Sequence, residues 1–402
     1  MNRLVYIVNT RLPTEKAHGY QICKMSEAFA HHGVAVLLLH PYRHQPHPSP
    51  ALCEKTIFDY YGLSRVFAVK TLPNLDITRV DRFLRRSMFT PLFFVHAVLW
   101  GLYAARVARR EQADLYYTRD SAVAYWLLRL GLPTAYEVHE IPRRARQRLL
   151  QRVAQHPALR LMVVKTSFIK HEVVHMGFPG EKILVLANGV DVPLFANLPS
   201  RQACREQLGL PQDRPIIGYM GRFQTMGMEK GIPELVHLMA CLPPLDGKEP
   251  LLLCVGGPLD AVPAYQALAR RWGVPAHRLR FVDRVPNQEV PTWIAAYDVA
   301  VAPFPATAHY IYFMSPLKLF EYMAAGVPIV ASDLPSIREV LTDKENALLV
   351  RPGDLHQWSE TIVRLLKDPA LGERLTERAS RDVRRYTWKG QAHTILSRVG
   401  AP

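Results

Sequence analysis

The sequence predicts an α/β protein with two doubly wound, Rossmann-like domains in succession. The chain has 402 residues, and at about 100–200 residues per domain this length fits two or three domains. Short apolar runs alternate with helix-length segments, which is typical of parallel strands connected by helices. The alternation stops near residue 195 and then restarts, so each half predicts a sheet of its own.

The first array contains six predicted strands, each rich in Val, Ile, Leu or Tyr. These strands are Leu4–Val8, Val34–Leu39, Leu115–Tyr117, Thr134–Val138, Leu161–Val164 and Ile183–Leu186. A helix is predicted at Tyr20–His32, before Gly33. Another is predicted at Phe168–Met176, before Gly177. Glycine is the usual residue after the last helical turn, so both helices are expected to end there.

The second array follows a proline-rich segment, Asn197–Pro215, which predicts a linker with one short helix. Its predicted strands are Ile216–Met220, Leu251–Val255, Leu279–Val282, Val299–Ala302, Ile329–Ala331 and Ala347–Val350. Its predicted helices are Ile232–Cys241, Tyr265–Trp272, Leu317–Ala325 and Leu355–Lys367. We therefore expect a first domain over residues 1–195 and a second over residues 196–372, with ligand crevices at the carboxyl ends of the strands.

The net charge of the chain is +15, from 50 Lys and Arg against 35 Asp and Glu. Residues 1–195 carry 26 basic and 14 acidic groups, residues 196–372 carry 17 and 18, and residues 373–402 carry 7 and 3. This excess predicts an anionic partner: nucleic acid, an acidic lipid surface or phosphorylated small molecules. A hydrophobic share of 49% and a charged share of 21% exclude a disordered or collagen-like chain.

The cysteines and the first residues of the chain bear on its compartment. Five cysteines at irregular spacing, without a C-x-x-C pair, indicate reduced thiols rather than a disulfide framework. The apolar run before Arg11 and Pro13 is too short for a signal peptide. Both observations favour a cytoplasmic protein.

Two basic segments in the first half predict contact with an anionic membrane surface. Ser87–Ala105 has 19 uncharged residues, and arginines flank it within residues 79–110. This segment fits a buried core helix, an interfacial helix or, less well because of Pro91 and Gly101, a membrane span. Residues 143–152 carry five arginines and no acid, which fits a solvated helix face as well as an anionic surface.

The most informative segment is Met314–Glu339, which predicts a loop, a helix, a strand and a second loop. Ser315 and Pro316 suit the cap and the first position of that helix. The free N–H groups of its first turn would face the crevice at the strand ends and bind an anion. Glu321 lies too deep in the helix to be a cap, and its carboxylate suits either two hydrogen bonds from a ribose diol or a solvated face.

Cationic groups follow the first strand of the second array. Gly221 and Arg222 come directly after that strand, and Lys230 precedes the next helix. Arg222 offers a bidentate fork and Lys230 a compact charge, and both suit a diphosphate. The sequence has no D-x-D, the common clamp for a diphosphate-bound metal. We therefore expect fixed cations and N–H donors to meet the negative charge of the ligand, with no metal and no cofactor.

Together these motifs resemble the nucleotide-sugar site of family 4 retaining glycosyltransferases, which have the GT-B fold of two Rossmann-like domains facing a central cleft. Other landmarks occur in the family's order: HG at 18–19, EVH at 137–139 and NGVD at 188–191. The resemblance covers nearly the whole chain. It implies that residues 373–402 form a helical segment that crosses back to the first domain.

The resemblance implies retaining, metal-independent transfer of a sugar from a nucleoside-diphosphate donor to a glycan or lipid-linked acceptor. It implies a role in cell-envelope glycan synthesis, and with the basic segments it places the protein at the inner face of the plasma membrane. It assigns catalysis to His139, Arg222 and Lys230, and acceptor binding to His18 and Gly19. It assigns donor binding to Gly19, Gly221, Arg222, Lys230, Arg284, Met314, Ser315, Pro316, Leu317 and Glu321.

One position departs from the family. A Glu usually lies eight residues before the position of Glu321, whereas this chain has Phe313. Because of this change, the resemblance does not specify the donor sugar. A second interpretation is therefore retained: a non-catalytic nucleotide-sugar-binding protein with the same fold.

Two other patterns compete with this interpretation. HEVVH at 171–175 matches H-E-x-x-H, which on a helix can hold zinc. It lacks the longer metal-binding extension and lies inside a βα unit, which favours a solvated helix face. Nucleic-acid binding would use the same basic groups, but no recognised motif accompanies them, so we expect no nucleic-acid partner.

Overall fold

The computed structural model describes residues 1–44, 55–77, 86–142, 145–225 and 227–400. The chain divides into two compact units, Met1–Ala187 with Trp388–Pro402, and Asn188–Thr387. Each unit is built on a parallel β-sheet with intervening helices. The predicted α/β class and the division into two domains of the same kind are confirmed.

The first unit contains a seven-stranded parallel sheet. Its strands are β1 (Arg3–Ile7), β2 (Ala35–Pro41), β3 (Ala68–Leu72), β4 (Leu115–Thr118), β5 (Thr134–Val138), β6 (Leu159–Val164) and β7 (Ile183–Val185). Its first helices are α1 (Ala17–Ala30), α2 (Ile57–Tyr61), α3 (Arg86–Arg109), α4 (Ser121–Arg129), α5 (Ala145–Ala154) and α6 (Ser167–His175). The strand order is β3-β2-β1-β4-β5-β6-β7, which is doubly wound around β1 and β4.

The second unit contains a six-stranded parallel sheet and a short hairpin. Its strands are β8 (Ile216–Met220), β9 (Gln224–Thr225), β10 (Met228–Glu229), β11 (Leu251–Val255), β12 (Leu279–Val282), β13 (Val299–Ala302), β14 (Ile329–Ser332) and β15 (Leu348–Val350). Its helices are α7 (Arg201–Gln207), α8 (Ile232–Cys241), α9 (Val262–Arg271), α10 (Val290–Ala295), α11 (Ala308–Tyr312), α12 (Leu317–Ala325), α13 (Pro335–Arg338), α14 (Leu355–Lys367) and α15 (Pro369–Asp382). The sheet order is β12-β11-β8-β13-β14-β15.

The central strands are buried along their whole length, which explains why the sequence located them. Every residue of β4, β5, β8 and β11 is buried. A strand covered on both faces needs apolar side chains at consecutive positions, so its sequence shows a run rather than an alternation. The predicted helices over residues 232–241, 317–325 and 355–367 also have the observed bounds.

Two features of the sheets were not predicted. The edge strand β3 pairs only with β2 and leaves most of its side chains exposed or half-buried, Lys70 and Thr71 among them. It therefore lacks an apolar run. The hairpin of β9 and β10 has two residues per strand, too few for any periodicity to appear.

The unit boundaries differ from the predicted residues 195 and 373. Asn188 and Val190 already belong to the second unit, where the Val190 N–H donates to the carbonyl oxygen of Tyr386 at 2.8 Å. The helix α15 also stays in that unit because it packs against α12 and α14. The return to the first unit begins with α16 (Trp388–Gly400), after a bend near Tyr386.

The helix α16 packs against α1 in the first unit. The His32 Nε2 atom lies 2.9 Å from the carbonyl oxygen of Lys389, and Arg398 Nη2 donates to the carbonyl oxygen of Glu181 at 2.5 Å. With these bounds the first unit holds 28 basic and 13 acidic residues, and the second holds 22 of each. The entire net charge of +15 therefore lies in the first unit.

The apolar segment of the first half forms α3, which has one buried face and one exposed face. Trp100, Ala104 and Ala108 lie in the core with strands of the sheet, and Trp126 Nε1 of α4 donates to the carbonyl oxygen of Val98 at 2.9 Å. The buried face therefore matches a core helix. By length and composition, Leu92–Arg109 is also long and apolar enough to cross a membrane, with 28% of that window buried.

The second basic segment coincides with α5. Its residues Arg146, Arg148 and Arg152 are exposed, whereas Leu149 and Leu150 are buried. The predicted segments also include residues 79–85, 143 and 144, which lie outside the described residues.

Candidate functional site

The carboxyl end of β8 carries the first group of predicted donor-binding residues. Gly221 has a φ of +119°, and its N–H donates to the carbonyl oxygen of Val255 at 2.8 Å. A Cβ on the neighbouring Gly256 would approach the Gly221 backbone to 2.6 Å. Two backbones therefore meet where β8 and β11 end, and only glycine fits both the contact and the left-handed conformation.

Arg222 follows Gly221 and is half-buried. Its backbone carbonyl oxygen accepts a hydrogen bond from the Tyr219 hydroxyl at 2.9 Å. Its guanidinium Nε lies 3.5 Å from the carbonyl oxygen of Gln224, at the limit of hydrogen bonding. The backbone of Arg222 is therefore held in place, while the guanidinium makes no ion pair with any described residue.

Lys230 lies directly after β10, and its N–H donates to the carbonyl oxygen of Phe223 at 3.1 Å. Burial, and then the charge of Arg222, lower the pKa of Lys230 to about 8. The adjacent Glu229 carboxylate is occupied elsewhere, since it accepts hydrogen bonds from Tyr265 and Gln224. Arg222 and Lys230 are thus brought together as the sequence predicted, and no described carboxylate pairs with Lys230.

The start of α12 corrects one prediction. Ser315 is not the helix cap: Pro316 holds that position, and no side chain caps the first turn. The Ser315 hydroxyl instead accepts a hydrogen bond from the Asn188 N–H at 2.7 Å, and the Asn188 Nδ2 donates to the Ser315 carbonyl oxygen at 2.5 Å. No side-chain cap therefore accepts hydrogen bonds from the N–H groups in the first turn of this nine-residue helix. An anion site at the positive end of a helix requires such uncapped N–H groups.

The other predicted donor residues surround this helix start or follow a neighbouring strand. Met314 is buried, and Leu317 is half-buried. Glu321, one turn into α12, has its pKa raised to about 7 by burial, so it is not the solvated helix glutamate that was the alternative. Arg284 is exposed and follows β12, and Phe313 is half-buried directly after α11.

In the first unit, His139 belongs to a buried polar network at the end of β5. The His139 Nε2 lies 2.5 Å from the Glu137 carboxylate, which is 1% exposed. Lys165 from the end of β6 lies 3.1 Å from the same carboxylate. Burial, and then the charge of Arg119, lower the pKa of His139 to about 3. The imidazole is therefore neutral at pH 7, and Glu137 orients it.

The network fixes the protonation of its members. Burial opposes ionisation of Glu137, but the charge of Lys165 and the hydrogen bond from the neutral His139 hold its pKa well below the usual range. An ionised Glu137 accepts the Nε2–H of His139, so the Nδ1 of the ring keeps its lone pair as an acceptor.

The structure gives Gly19 a packing role. Gly19 lies inside α1, and its N–H donates to the carbonyl oxygen of Lys16 at 2.9 Å. A Cβ at this position would approach the Tyr61 hydroxyl to 2.2 Å and Thr14 Cγ2 to 2.5 Å. The amide expected to meet a phosphate is thus already bonded. His18 lies 2.9 Å from Thr10 Oγ1 through its Nε2, and burial lowers its pKa to about 3.

The H-E-x-x-H sequence lies on α6, where His171 and His175 are exposed and Val173 between them is buried. Within the described part of the chain, no group of three His, Cys, Asp or Glu side chains is arranged to hold a metal.

Three site residues escaped the sequence analysis. Lys318 follows Leu317 in α12 and is 6% exposed, although a lysine near a helix start is normally solvated. The sequence placed Asn188 only in a turn, and it gave Lys165 no role. The only available signal was a polar residue beside a predicted strand end or helix start, and many residues share that signal.

The sequence matches two models of glycosyltransferase families. Glycosyltransferase Family 4 matches residues 19–193, and Glycosyl transferases group 1 matches residues 214–368. The two matches fall on the two successive α/β arrays of the chain.

Curated relatives carry the name D-inositol 3-phosphate glycosyltransferase. The protein of Thermobispora bispora is 27% identical over 286 residues, which are 66% of this chain and 65% of that protein. The protein of Xylanimonas cellulosilytica is 32% identical over 224 residues, 54% of this chain and 50% of that protein. The chain thus spans between half and two thirds of the length of these relatives.

Solved structures share the fold at low identity. Sucrose-phosphate synthase from Thermosynechococcus elongatus gives a TM-score of 0.73 at 19% identity, covering 99% of this chain and 98% of that one. Anabaena HepE, in complex with UDP and glucose, gives 0.71 at 18% identity, covering 99% and 100%. The two family matches, the two parallel sheets and these neighbours agree: the chain belongs to the family 4, or group 1, glycosyltransferases and has the GT-B fold.

Proposed function

We propose that the protein is a retaining, metal-independent glycosyltransferase that moves a sugar from a nucleoside-diphosphate donor to an acceptor in cell-envelope glycan synthesis. The observation that carries this proposal is the pair of cations after β8. Arg222 and Lys230 lie close enough for one to lower the pKa of the other, and neither forms an ion pair with a described residue. A donor diphosphate supplies the missing anion.

The geometry supports stabilisation of the leaving group by the protein itself. As the glycosidic bond breaks, negative charge develops on the terminal phosphate, where Arg222, Lys230 and the uncapped start of α12 meet it. The same phosphate accepts the proton of the attacking hydroxyl on the same face of the sugar, so no protein nucleophile is needed. Glu321 accepts hydrogen bonds from the ribose diol, and His139 accepts one from a sugar hydroxyl through its Nδ1.

Paired substitutions test the donor site. In the double variant Arg222→Ala/Lys230→Ala we expect kcat/KM to fall by at least about 100-fold, as for the loss of transition-state charge stabilisation. The matched control is Arg270→Ala/Arg271→Ala, which removes two exposed charges from α9 of the same unit and should retain activity. Full activity in the first double variant would refute the site.

The mechanism has its own readouts. The proton NMR spectrum of the first-formed product should show the anomeric configuration of the donor, and activity should survive chelation with EDTA. An inverted product, or activity that returns only with added Mg²⁺, would contradict the proposal.

The non-catalytic alternative rests on Phe313, which occupies the position where the family resemblance implies a carboxylate. A thermal-shift screen of nucleoside diphosphates identifies the preferred base, since a ligand that binds the native state raises the melting temperature. UDP is the first candidate because the Anabaena structures contain UDP and glucose. Nucleotide binding without transfer or hydrolysis of any donor sugar would favour the non-catalytic protein.

We also propose that the acceptor lies at an anionic membrane face, with the protein on the cytoplasmic side of the plasma membrane. The net charge lies in the first unit, and α3 exposes an apolar stripe there. The exposed fraction of the side chain is 42% at Leu92, 53% at Val95, 61% at Leu99 and 39% at Tyr103. At 100° per residue they share one face with the exposed Arg106. An apolar stripe that ends in arginines fits the interface of an anionic bilayer.

Vesicle sedimentation tests this surface. Binding to phosphatidylglycerol vesicles should exceed binding to phosphatidylcholine vesicles, and Val95→Ser/Leu99→Ser should reduce it by about tenfold or more. Leu259→Ser is the control, since Leu259 is 43% exposed in the second unit. Equal binding to both lipids would refute the surface. Transfer to a soluble inositol phosphate, the acceptor class in the relatives' name, rather than to a lipid-linked acceptor would refute the membrane acceptor.

A further inference from the structure

The side chain of Lys318 is buried, and no described carboxylate forms a salt bridge with it. It is the second residue of α12 and is 6% exposed. Its Nζ is buried and has no hydrogen-bond partner among the described residues. Placing an ammonium group in a protein interior without an anion costs free energy. Such a lysine is therefore neutral unless an anionic ligand binds beside it.

The surroundings of Lys318 suit a cation. Its Nζ lies 3.3 Å from the centre of the Tyr219 ring and 5.3 Å from the centre of the Phe304 ring. Aromatic faces stabilise a positive charge through their quadrupole. A Cβ on Gly221 would lie 3.6 Å from the Nζ, so Lys318 lies against the glycine after β8. The ammonium therefore sits at the predicted diphosphate site, although nothing in the sequence pattern placed it there.

Three titratable groups lie near enough to Lys318 to act on it electrostatically: Lys230 from the segment after β10, Glu321 from the next turn of α12, and the Cys254 thiol from β11. Burial, and then the charge of Lys230, lower the pKa of Lys318 well below its usual value, while Glu321 raises it. The Cys254 thiol carries no charge near neutral pH, because burial raises its own pKa. Since burial also raises the pKa of Glu321 to about 7, that carboxylate is an incomplete counterion at neutral pH. The cluster of Arg222, Lys230 and Lys318 therefore has less negative charge around it than its three basic groups can balance.

We propose that Lys318 is a third cation of the donor site and that it takes up a proton from solvent when the nucleoside diphosphate binds. The bound diphosphate supplies the negative charge that the cluster of Arg222, Lys230 and Lys318 lacks. Lys318 acts on it from beside Gly221 and is a positioning residue rather than a catalytic one. The inference rests on the donor site proposed above.

Calorimetry with buffers of different ionisation enthalpy counts the protons. UDP-glucose is the probe because, unlike UDP, it has no phosphate that titrates near neutral pH. At pH 8 we expect wild-type protein to take up protons on binding. Lys318→Met, which is close in size and removes the titratable amino group, should take up about one proton fewer and bind about tenfold more weakly. Lys230 contributes to the count in both proteins, so the difference between them isolates Lys318.

Two further variants separate charge from structure. Lys367→Met, on the exposed end of α14, is the matched control and should keep both the proton count and the affinity. Lys318→Arg carries a permanent charge, so it should bind more tightly than Lys318→Met while also taking up about one proton fewer. This variant keeps the inference testable if the methionine variant does not fold.

The outcomes distinguish this inference from the proposed function. An unchanged proton count and affinity in Lys318→Met would overturn the role of Lys318 while leaving the donor site intact. Absence of nucleotide binding to the wild type would overturn the donor site and this inference together. A weaker affinity with an unchanged proton count would show that the protonation of Lys318 does not change when the donor binds, and would also overturn the inference.

Discussion

The buried ion pair of Glu137 and Lys165 gives the sharpest prediction for the first unit. Replacing Lys165 by methionine should destabilise that unit by about 3–5 kcal/mol, because it leaves a carboxylate buried without its partner cation. The two side chains are 1% and 3% exposed, and the distance between their charged atoms is 3.1 Å. Water therefore cannot take over the role of the lysine.

The hydrogen bonds that Glu137 keeps place the expected loss of stability in the lower half of the range of about 3–5 kcal/mol. Glu137 keeps hydrogen bonds from Gln21 at 2.8 Å, Tyr117 at 2.5 Å and His139 at 2.5 Å. Each bond to a charged acceptor contributes about 1.5–3 kcal/mol, so the carboxylate is not left without partners. We expect a loss of about 3 kcal/mol, and partial recovery in Glu137→Gln/Lys165→Met, where neither charge remains.

Urea unfolding monitored by far-UV circular dichroism gives these values from the transition of the first unit. Arg65→Met is the control, because its ion pair with Asp59 is 64% and 49% exposed and should be worth less than about 1 kcal/mol. If the free energy of unfolding of Lys165→Met lies within 1 kcal/mol of the wild-type value, Glu137 is neutral in the folded state. A double variant no more stable than Lys165→Met would refute the argument from uncompensated charge.

Three further predictions concern the second unit. Gly231→Ala should cost more than about 2 kcal/mol in urea unfolding, since φ is +90° and the new Cβ would lie 1.9 Å from the Pro303 carbonyl oxygen. The control Gly227→Ala meets no atom within 4 Å and should cost about 1 kcal/mol; equal losses would contradict the clash. Ser315→Ala should cost about 1–2 kcal/mol by leaving the Asn188 N–H without its acceptor, and an unchanged unfolding midpoint would count against that bond. Because the pKa of Lys230 is lowered to about 8, the lysine is charged below pH 8 and loses its charge above pH 8. The KM for the donor should therefore increase as the pH rises past 8, and a KM that stays constant up to pH 9.5 would contradict this.

The secondary structure was largely predictable because the central strands are covered on both faces. Their apolar runs are visible without knowledge of any partner, as in β8 and β11. The exceptions follow the same logic, since the exposed edge strand β3 and the two-residue strands of the hairpin produce no such run. The unit boundaries were missed because the contacts that decide them join distant residues, such as Val190 and Tyr386.

The candidate site was predictable where a residue is next to a strand end or helix start, and not where its role depends on a distant partner. Arg222 and Lys230 could be proposed as donor-binding residues because Arg222 follows β8 and Lys230 precedes α8. The prediction that Ser315 caps α12 was wrong because its hydroxyl instead accepts a hydrogen bond from Asn188, which lies 127 positions away in the chain. The sequence likewise could not reveal that Glu137 and Lys165 meet, since they lie on neighbouring strands.

The sequence by itself determined the two sheets, the family and the excess of positive charge, because composition and local periodicity encode these directly. Only the tertiary structure decided where that charge lies: its unit boundaries place 28 of 50 basic residues and only 13 of 35 acidic ones in the first unit. It also decided which cations are desolvated. Burial depends on what packs around a side chain, so only the folded chain shows that the Lys318 ammonium lies against the Tyr219 ring with no hydrogen-bond partner in the part of the chain that the structure describes.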